Sequence, residues 1–104
     1  MAETSKAGGR CLMTYRLEFR ESAERWLTQI ARRNPQIARG IHGKIIWLVD
    51  NIEAIRHERL KGHKEYSLHF GQYRILYTLD RARHRVIIEH IGKHDEVYRR
   101  LERE

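Results

Sequence analysis

Apolar and polar positions alternate in two distinct periods along the chain. Tyr15-Arg16-Leu17-Glu18-Phe19 alternates apolar and charged residues, which is the period of a half-buried strand. Ala23, Trp26, Leu27, Ile30 and Ala31 then recur at spacings of three and four and define one face of a helix. Asn34-Pro35 breaks that helix and starts another, because asparagine accepts from free backbone N–H groups and proline at the first helical position has no N–H to leave unpaired. Ile37, Ile41, Ile45, Leu48, Ile52 and Ile55 continue at helical spacing. The tight break makes the two helices antiparallel, each offering its stripe to the same layer. Trp26 and Trp47 are expected in the core with these aliphatic residues. Gly40 and Gly43 each weaken the second helix by about 1 kcal/mol relative to alanine. Close approach to the first helix is the expected compensation.

The second half of the chain changes to a period of two. Arg59-Leu60-Lys61-Gly62 reads as a short connector with one buried leucine. Tyr66 to Phe70 and Tyr73 to Leu79 both alternate, separated only by Gly71-Gln72. A two-residue loop with glycine first fits a type II′ hairpin, whose first loop residue needs a positive φ. This turn fixes the register: Phe70 faces Tyr73, Leu68 faces Ile75 and Tyr66 faces Tyr77. These six side chains form the core face. By the same register His69 lies opposite Arg74, and Ser67 opposite Leu76, on the other face. Arg85 to Ile91 is a further strand, Gly92 ends it, and His94 to Arg103 forms a short polar helix or a frayed tail. The order is therefore β-α-α-β-β-β-α, an α+β fold with a two-helix hairpin on one face of a small, four-stranded, mainly antiparallel sheet. The opposite face, with His69 and Arg74, is expected to be open.

Composition narrows the function. The 104 residues suffice for one domain, expected over 14–104 after a flexible tail at 1–13. Lys plus Arg is 21 against 14 for Asp plus Glu, a net charge of +7, so an anionic partner is expected: RNA, DNA, an acidic protein or a membrane surface. A single cysteine, Cys11, excludes an internal disulfide and a cysteine-rich zinc site and fits a reducing, cytoplasmic compartment. No apolar run approaches the ~20 residues of a membrane span, and the first residues lack a signal-peptide core. Met13 is a candidate alternative to Met1 as the start, a choice the sequence leaves open.

Six of the seven histidines lie between His57 and His94. No His/Asp/Glu spacing of a known metal motif occurs, and there is no nucleotide-binding glycine loop or nucleophile elbow; no cofactor or metal is expected. The remaining inventory of His, Arg, Lys and Tyr suits one task, work on a phosphodiester. Arginine offers a bidentate fork to the non-bridging oxygens, and histidine passes protons both ways near neutrality. RNA supplies its own nucleophile, the 2′-OH.

Residues 59–100 resemble the core of the RelE/ParE superfamily of bacterial toxins. The shared pieces are the Arg59-Leu60-x-Gly62 connector, the Gly71-x-Tyr73-Arg74-x-x-Tyr77 hairpin, the apolar strand after it, and the Gly92-x-His94-x-x-Val97-Tyr98 ending. With the first strand and helix pair the resemblance spans about residues 14–101. In RelE-like members it implies metal-independent cleavage of messenger RNA on the ribosome by 2′-OH attack, and an antitoxin that neutralises the toxin in a hetero-oligomer. Carried over position by position, it implies that Arg74 holds the scissile phosphate, that Tyr98 stacks on or orients a base, and that His94 protonates the leaving 5′-oxygen. Two lysines found on the first hairpin strand of well-known members are replaced by Ser67 and His69. His69 then becomes the candidate base for the 2′-OH proton, and Lys61, Lys64 and Lys93 the candidates to supply the missing charge toward RNA.

Each residue has a plainer alternative: Arg74 as a surface arginine paired with a carboxylate such as Glu89, Tyr98 as a cap on the core beside Val97, His69 as a solvated strand residue, His94 as a cation at a strand end. Two other functions share the fold or the charge. One is a ParE-type toxin that binds DNA gyrase and cuts no RNA. The other is a non-catalytic basic RNA-binding module.

Overall fold

A computed structural model describes residues 15–103. The tail expected at 1–13, with Cys11 and Met13, lies outside the described residues. The elements are β1 (Arg16–Phe19), α1 (Glu21–Arg33), α2 (Pro35–Asp50), β2 (Glu58–Arg59), β3 (Tyr66–Phe70), β4 (Tyr73–Asp80), β5 (Arg85–Lys93) and α3 (His94–Arg103). The sheet has five strands in the order β1-β5-β4-β3-β2, one more than the four expected. The extra strand is β2, which pairs antiparallel to β3 through Glu58↔Ser67 and Arg59↔Tyr66; two residues are too short to show a period. Only β1 runs parallel to its neighbour, β5.

The break between the helices forms as expected. Asn34 Oδ1 accepts from the Ile37 N–H at 3.2 Å, with Pro35 opening α2. The second helix, however, stops at Asp50, where Asn51 donates its side-chain amide to the Trp47 carbonyl at 2.8 Å. Ile52 and Ile55 continue the apolar layer from turns instead of from the helix. The core lies between the helices and the sheet and includes Ile41, Ile45, Leu48, Ile75, Tyr77, Val86, Ile88 and Ile91. All six hairpin side chains assigned to that face pack in it. The tryptophans do not. Trp47 is 41 % exposed, with Lys44 Nζ 4.4 Å over its ring, beside Ile46 at 39 %. Trp26 is only half-buried. The α2 stripe is narrower than the run of apolar residues, so Ile46 and Trp47 fall on its outer side.

Gly40 is explained by the sheet and not by α1: a Cβ there would overlap the Phe70 ring of β3. Gly43 has open space around it. At the far end of the sheet, Arg85 bridges Glu18 of β1 (3.2 Å) and Asp80 of β4 (3.2 Å). Asp80 also accepts the Arg83 backbone N–H at 3.1 Å, the largest of the contacts that hold its carboxyl below the ordinary 3.8. At the opposite sheet edge, His57 Nε2 meets the Ile52 carbonyl at 2.8 Å, so it carries the hydrogen. Nδ1 then accepts from the Tyr77 hydroxyl at 2.6 Å. Burial pushes the Tyr77 hydroxyl well above its ordinary pKa, which keeps it a donor.

Two outcomes follow from this packing. Gly40→Ala destabilises the chain by about 1–3 kcal/mol in chemical denaturation, overriding the helix propensity gained; combining it with Phe70→Leu recovers most of the loss if the ring is the obstacle. Asp80 stabilises the fold fully above its unfolded pKa and loses that contribution as pH falls through its depressed folded value. Asp80→Asn should therefore flatten the acid limb of a melting-temperature profile below about pH 4; an unchanged limb contradicts this.

Candidate functional site

The hairpin decides which residues share the second face of the sheet. Gly71 has φ +57°, the left-handed value the turn requires at its first position. The ladder runs Phe70↔Tyr73, His69↔Arg74, Leu68↔Ile75, Ser67↔Leu76 and Tyr66↔Tyr77, the register expected from sequence. Arg74 thus sits between His69 on β3 and Gly92 on β5. Directly opposed side chains on one face have Cβ atoms about 4.5–5.5 Å apart, and Gly92 contributes no side chain on the other flank.

This face is not wholly open. Leu76, two residues along from Arg74, is fully buried beneath Val97 of α3, with Leu60 and Tyr98 packed around the pair. The C-terminal helix is therefore docked on the face opposite α1 and α2, because Val97 has an apolar seat there. Its first residue is pinned as well: the His94 N–H donates to the Gln72 carbonyl in the hairpin turn at 3.2 Å. One turn of helix brings the His94 and Tyr98 rings edge to face, with centroids 4.2 Å apart. His94 Nδ1 lies 3.2 Å from Asp95 Oδ1.

The structure thus makes two pairs, His69 with Arg74 and His94 with Tyr98, and joins them through the Gln72 bond and the Leu76–Val97 seat. The half-buried Arg74 places one guanidinium nitrogen 3.4 Å from the Tyr73 carbonyl. Among the described residues no carboxylate lies within ion-pair distance of it. Glu89, its suggested partner, is taken by Arg20 at 3.0 Å and Thr78 at 2.8 Å. His69 is exposed. Tyr98 does cap the small cluster around Val97, as its plainer alternative held, while keeping the His94 contact.

The three lysines are not gathered at Arg74. Lys93 pairs in register with Tyr73, on the parity of the helix-covered face. Lys61 is exposed in the turn before β3, and Lys64 lines a separate depression with Glu65, Glu89 and His90. The placements of three residues escaped the sequence. Strand β2 puts Glu58 in register with Ser67, which adds a carboxylate to the face of His69 and Arg74. A register shift between Leu76 and Tyr77 pairs them with His90 and Ile88, so Glu89 is the extra residue of a bulge that sends it and His90 toward the same side.

The family model of the ParE toxin of the type II toxin–antitoxin system matches residues 17–98. Solved structures share the fold. One is the RelBE2 toxin–antitoxin complex from Mycobacterium tuberculosis, 22 % identical over 77 % of this chain and 98 % of that one, with a TM-score of 0.63. Another is the isolated RelE toxin of E. coli, 18 % identical over 84 % and 98 %, with a TM-score of 0.64. A third is a YoeB/ParE toxin from Agrobacterium tumefaciens, 18 % identical over 76 % and 98 %, with a TM-score of 0.65. No curated protein matches the chain.

Because Val97 is the fully buried side chain by which α3 meets Leu76, truncating it loosens the helix before the main core. Val97→Ala should weaken docking by about 2 kcal/mol and speed amide exchange in α3 by about tenfold or more, with Ile75 and Ile88 amides still protected. Unchanged exchange in α3 contradicts the seat.

Proposed function

The chain belongs to the ParE toxin family of type II toxin–antitoxin systems, and on that premise we propose that it is a RelE-type endoribonuclease that cuts messenger RNA on the ribosome and so stops translation. The observation that supports this reading is the placement of Arg74. Its guanidinium has no carboxylate partner among the described residues, its strand position is across from His69, and it follows by two residues Gln72, whose carbonyl accepts from the His94 N–H. A cation left without an internal anion on a protein of net charge +7 is suited to an external one, here a phosphate.

In this mechanism the Arg74 fork binds the non-bridging oxygens of the scissile phosphate and stabilises the charge that builds on them. His69 takes the proton of the 2′-OH. The 2′-oxygen forms a bond to phosphorus as the bond from phosphorus to the 5′-oxygen breaks, and His94 gives its proton to that leaving oxygen. This leaves a 2′,3′-cyclic phosphate and a 5′-hydroxyl end. The Tyr98 ring, held by Val97 and His94, orients a base by stacking. Lys61, Lys64 and Lys93 contribute long-range attraction to the RNA backbone rather than contacts to the reacting phosphate. The resting partner is a cognate antitoxin; related folds are found in toxin–antitoxin complexes, and an acidic covering chain complements the charge. The work is done in the cytoplasm, where ribosomes are.

A second reading, a ParE-type toxin that acts on DNA gyrase without cutting RNA, is favoured by the matching family model itself. One assay separates the two. Added to a cell-free translation reaction, the chain should generate new, codon-phased mRNA ends, Arg74→Ala should lower their rate by about a hundredfold or more, and the rate should bend between about pH 5.5 and 8.5. Intact mRNA with trapped gyrase–DNA complexes would establish the second reading. A flat pH profile would remove His69 and His94 from proton transfer.

A further inference from the structure

The side of α2 that faces away from the core carries three features that the fold of a single chain does not use. Gly43 is an exposed glycine in mid-helix, a poor helix former, and a Cβ there would meet nothing within 4 Å. Ile46 and Trp47 follow one turn later, 39 % and 41 % exposed, and make a small apolar patch with it. Asp50, the last residue of the helix, sets a carboxylate at the negative end of the helix dipole, with no basic residue in the last turn. Among the described residues neither Asp50 nor Arg39 has an ion-pair partner.

These positions form one line. Arg39, Gly43, Ile46 and Asp50 are all exposed and recur at alternating spacings of four and three, the seam of a coiled coil. They lie opposite the buried face of Ala38, Ile41, Ile45 and Leu48. The line is also self-complementary. The midpoint between Gly43 and Ile46 is the midpoint between Arg39 and Asp50. A two-fold axis through that point sets Gly43 against the partner's Ile46 and Arg39 against the partner's Asp50, twice each. The missing side chain of Gly43 becomes the hole for an isoleucine knob. Trp47 flanks the seam, and Asp50 gains the cation its own helix end lacks.

We propose that two copies of this chain pair through α2, with the two helices antiparallel about a two-fold axis midway between Gly43 and Ile46. Charge selects this occupant. The seam holds one cation and one carboxylate at equal distances from its centre, so it matches itself turned end for end. An acidic segment or an RNA strand would gain Arg39 and be repelled by Asp50, and a phosphate backbone meets no donor on Ile46 or Trp47. The net charge of +7 on each copy opposes pairing, and a seam of one helix is small beside the ~1,200–2,000 Å² of stable interfaces. The dimer is therefore weak, forming at about tens to hundreds of micromolar. The Arg74 face is on the other side of the sheet from α2 and takes no part, so the inference stands whether or not the chain cuts RNA.

The test is sedimentation equilibrium of the full chain from about 10 μM to 1 mM. The parent should dimerise reversibly. Arg39→Asp and Asp50→Arg should each weaken the dimer by about tenfold or more, because two like-charge contacts replace two ion pairs. An equimolar mixture of the two variants should recover the parent's association, since every contact between unlike copies is again of opposite charge. Should a charge variant fail to fold, NMR dilution of the parent still decides: the Gly43, Ile46 and Trp47 amides should shift with concentration while those of α3 stay fixed. A parent that remains monomeric at 1 mM overturns the proposal. So do charge variants that dimerise like the parent, a mixture that shows no recovery, or dilution shifts that lie elsewhere. A monomeric parent whose Gly43 and Trp47 amides move on adding poly-glutamate or an oligouridylate also overturns it, and would assign the face to an acidic chain or to RNA.

Discussion

The register of one hairpin carries the arrangement of the whole site. Because strand side chains alternate strictly, a slip of one residue between β3 and β4 would move Arg74 under the helices and Ile75 into solvent. Gly71, at φ +57°, permits a turn of only two residues, and so the pairing His69↔Arg74 has no slack. The fully buried Ile75 and Tyr77 then lock the choice from the other side, since either would lose its place in the core if the register shifted. The polar face is thus defined by what the apolar face cannot give up.

The second face is organised by a smaller apolar contact. Leu76 stands on the wrong parity for the main core, and left exposed it would put an apolar patch on the polar face of the sheet. Val97, Leu60 and Tyr98 cover it, and in doing so they deliver α3 to the sheet. The helix then presents His94 and Tyr98 at the edge of its seat, next to the hairpin turn. Sub-structures that come from distant parts of the chain are positioned by about four side chains, which makes this the less stable of the two layers and the part expected to yield first when a partner remodels the molecule.

Much of this could be read from residues alone. The helix break at Asn34-Pro35, the Gly71-Gln72 turn, the facing of His69 and Arg74, and the β-α-α-β-β-β-α order all have local causes: a cap, a positive φ, a period of two or of 3.6. What escaped has non-local causes. Strand β2 is two residues long and exists only because β3 offers it an edge. Glu89 and His90 turn toward one side because of a bulge that no residue type announces. Trp47 is apolar in sequence and exposed in space, since the helix stripe is narrower than the run of hydrophobic residues. The three lysines share a charge and no location. Gly40 signalled a close approach, and only the fold shows that Phe70, not the first helix, is what approaches it.

The claim on which the rest depends is that a phosphate of RNA sits over Arg74 between His69 and the His94–Tyr98 pair. NMR titration of the chain with a short RNA whose 2′-oxygens are methylated, so that it binds and is not cut, tests this most directly. Perturbations gathered on the Arg74 guanidinium, Gly92, His69, His94 and Tyr98, and weakened by added salt, are the expected result. A perturbed surface confined to α1 and α2, with the Arg74 signals unmoved, would contradict it.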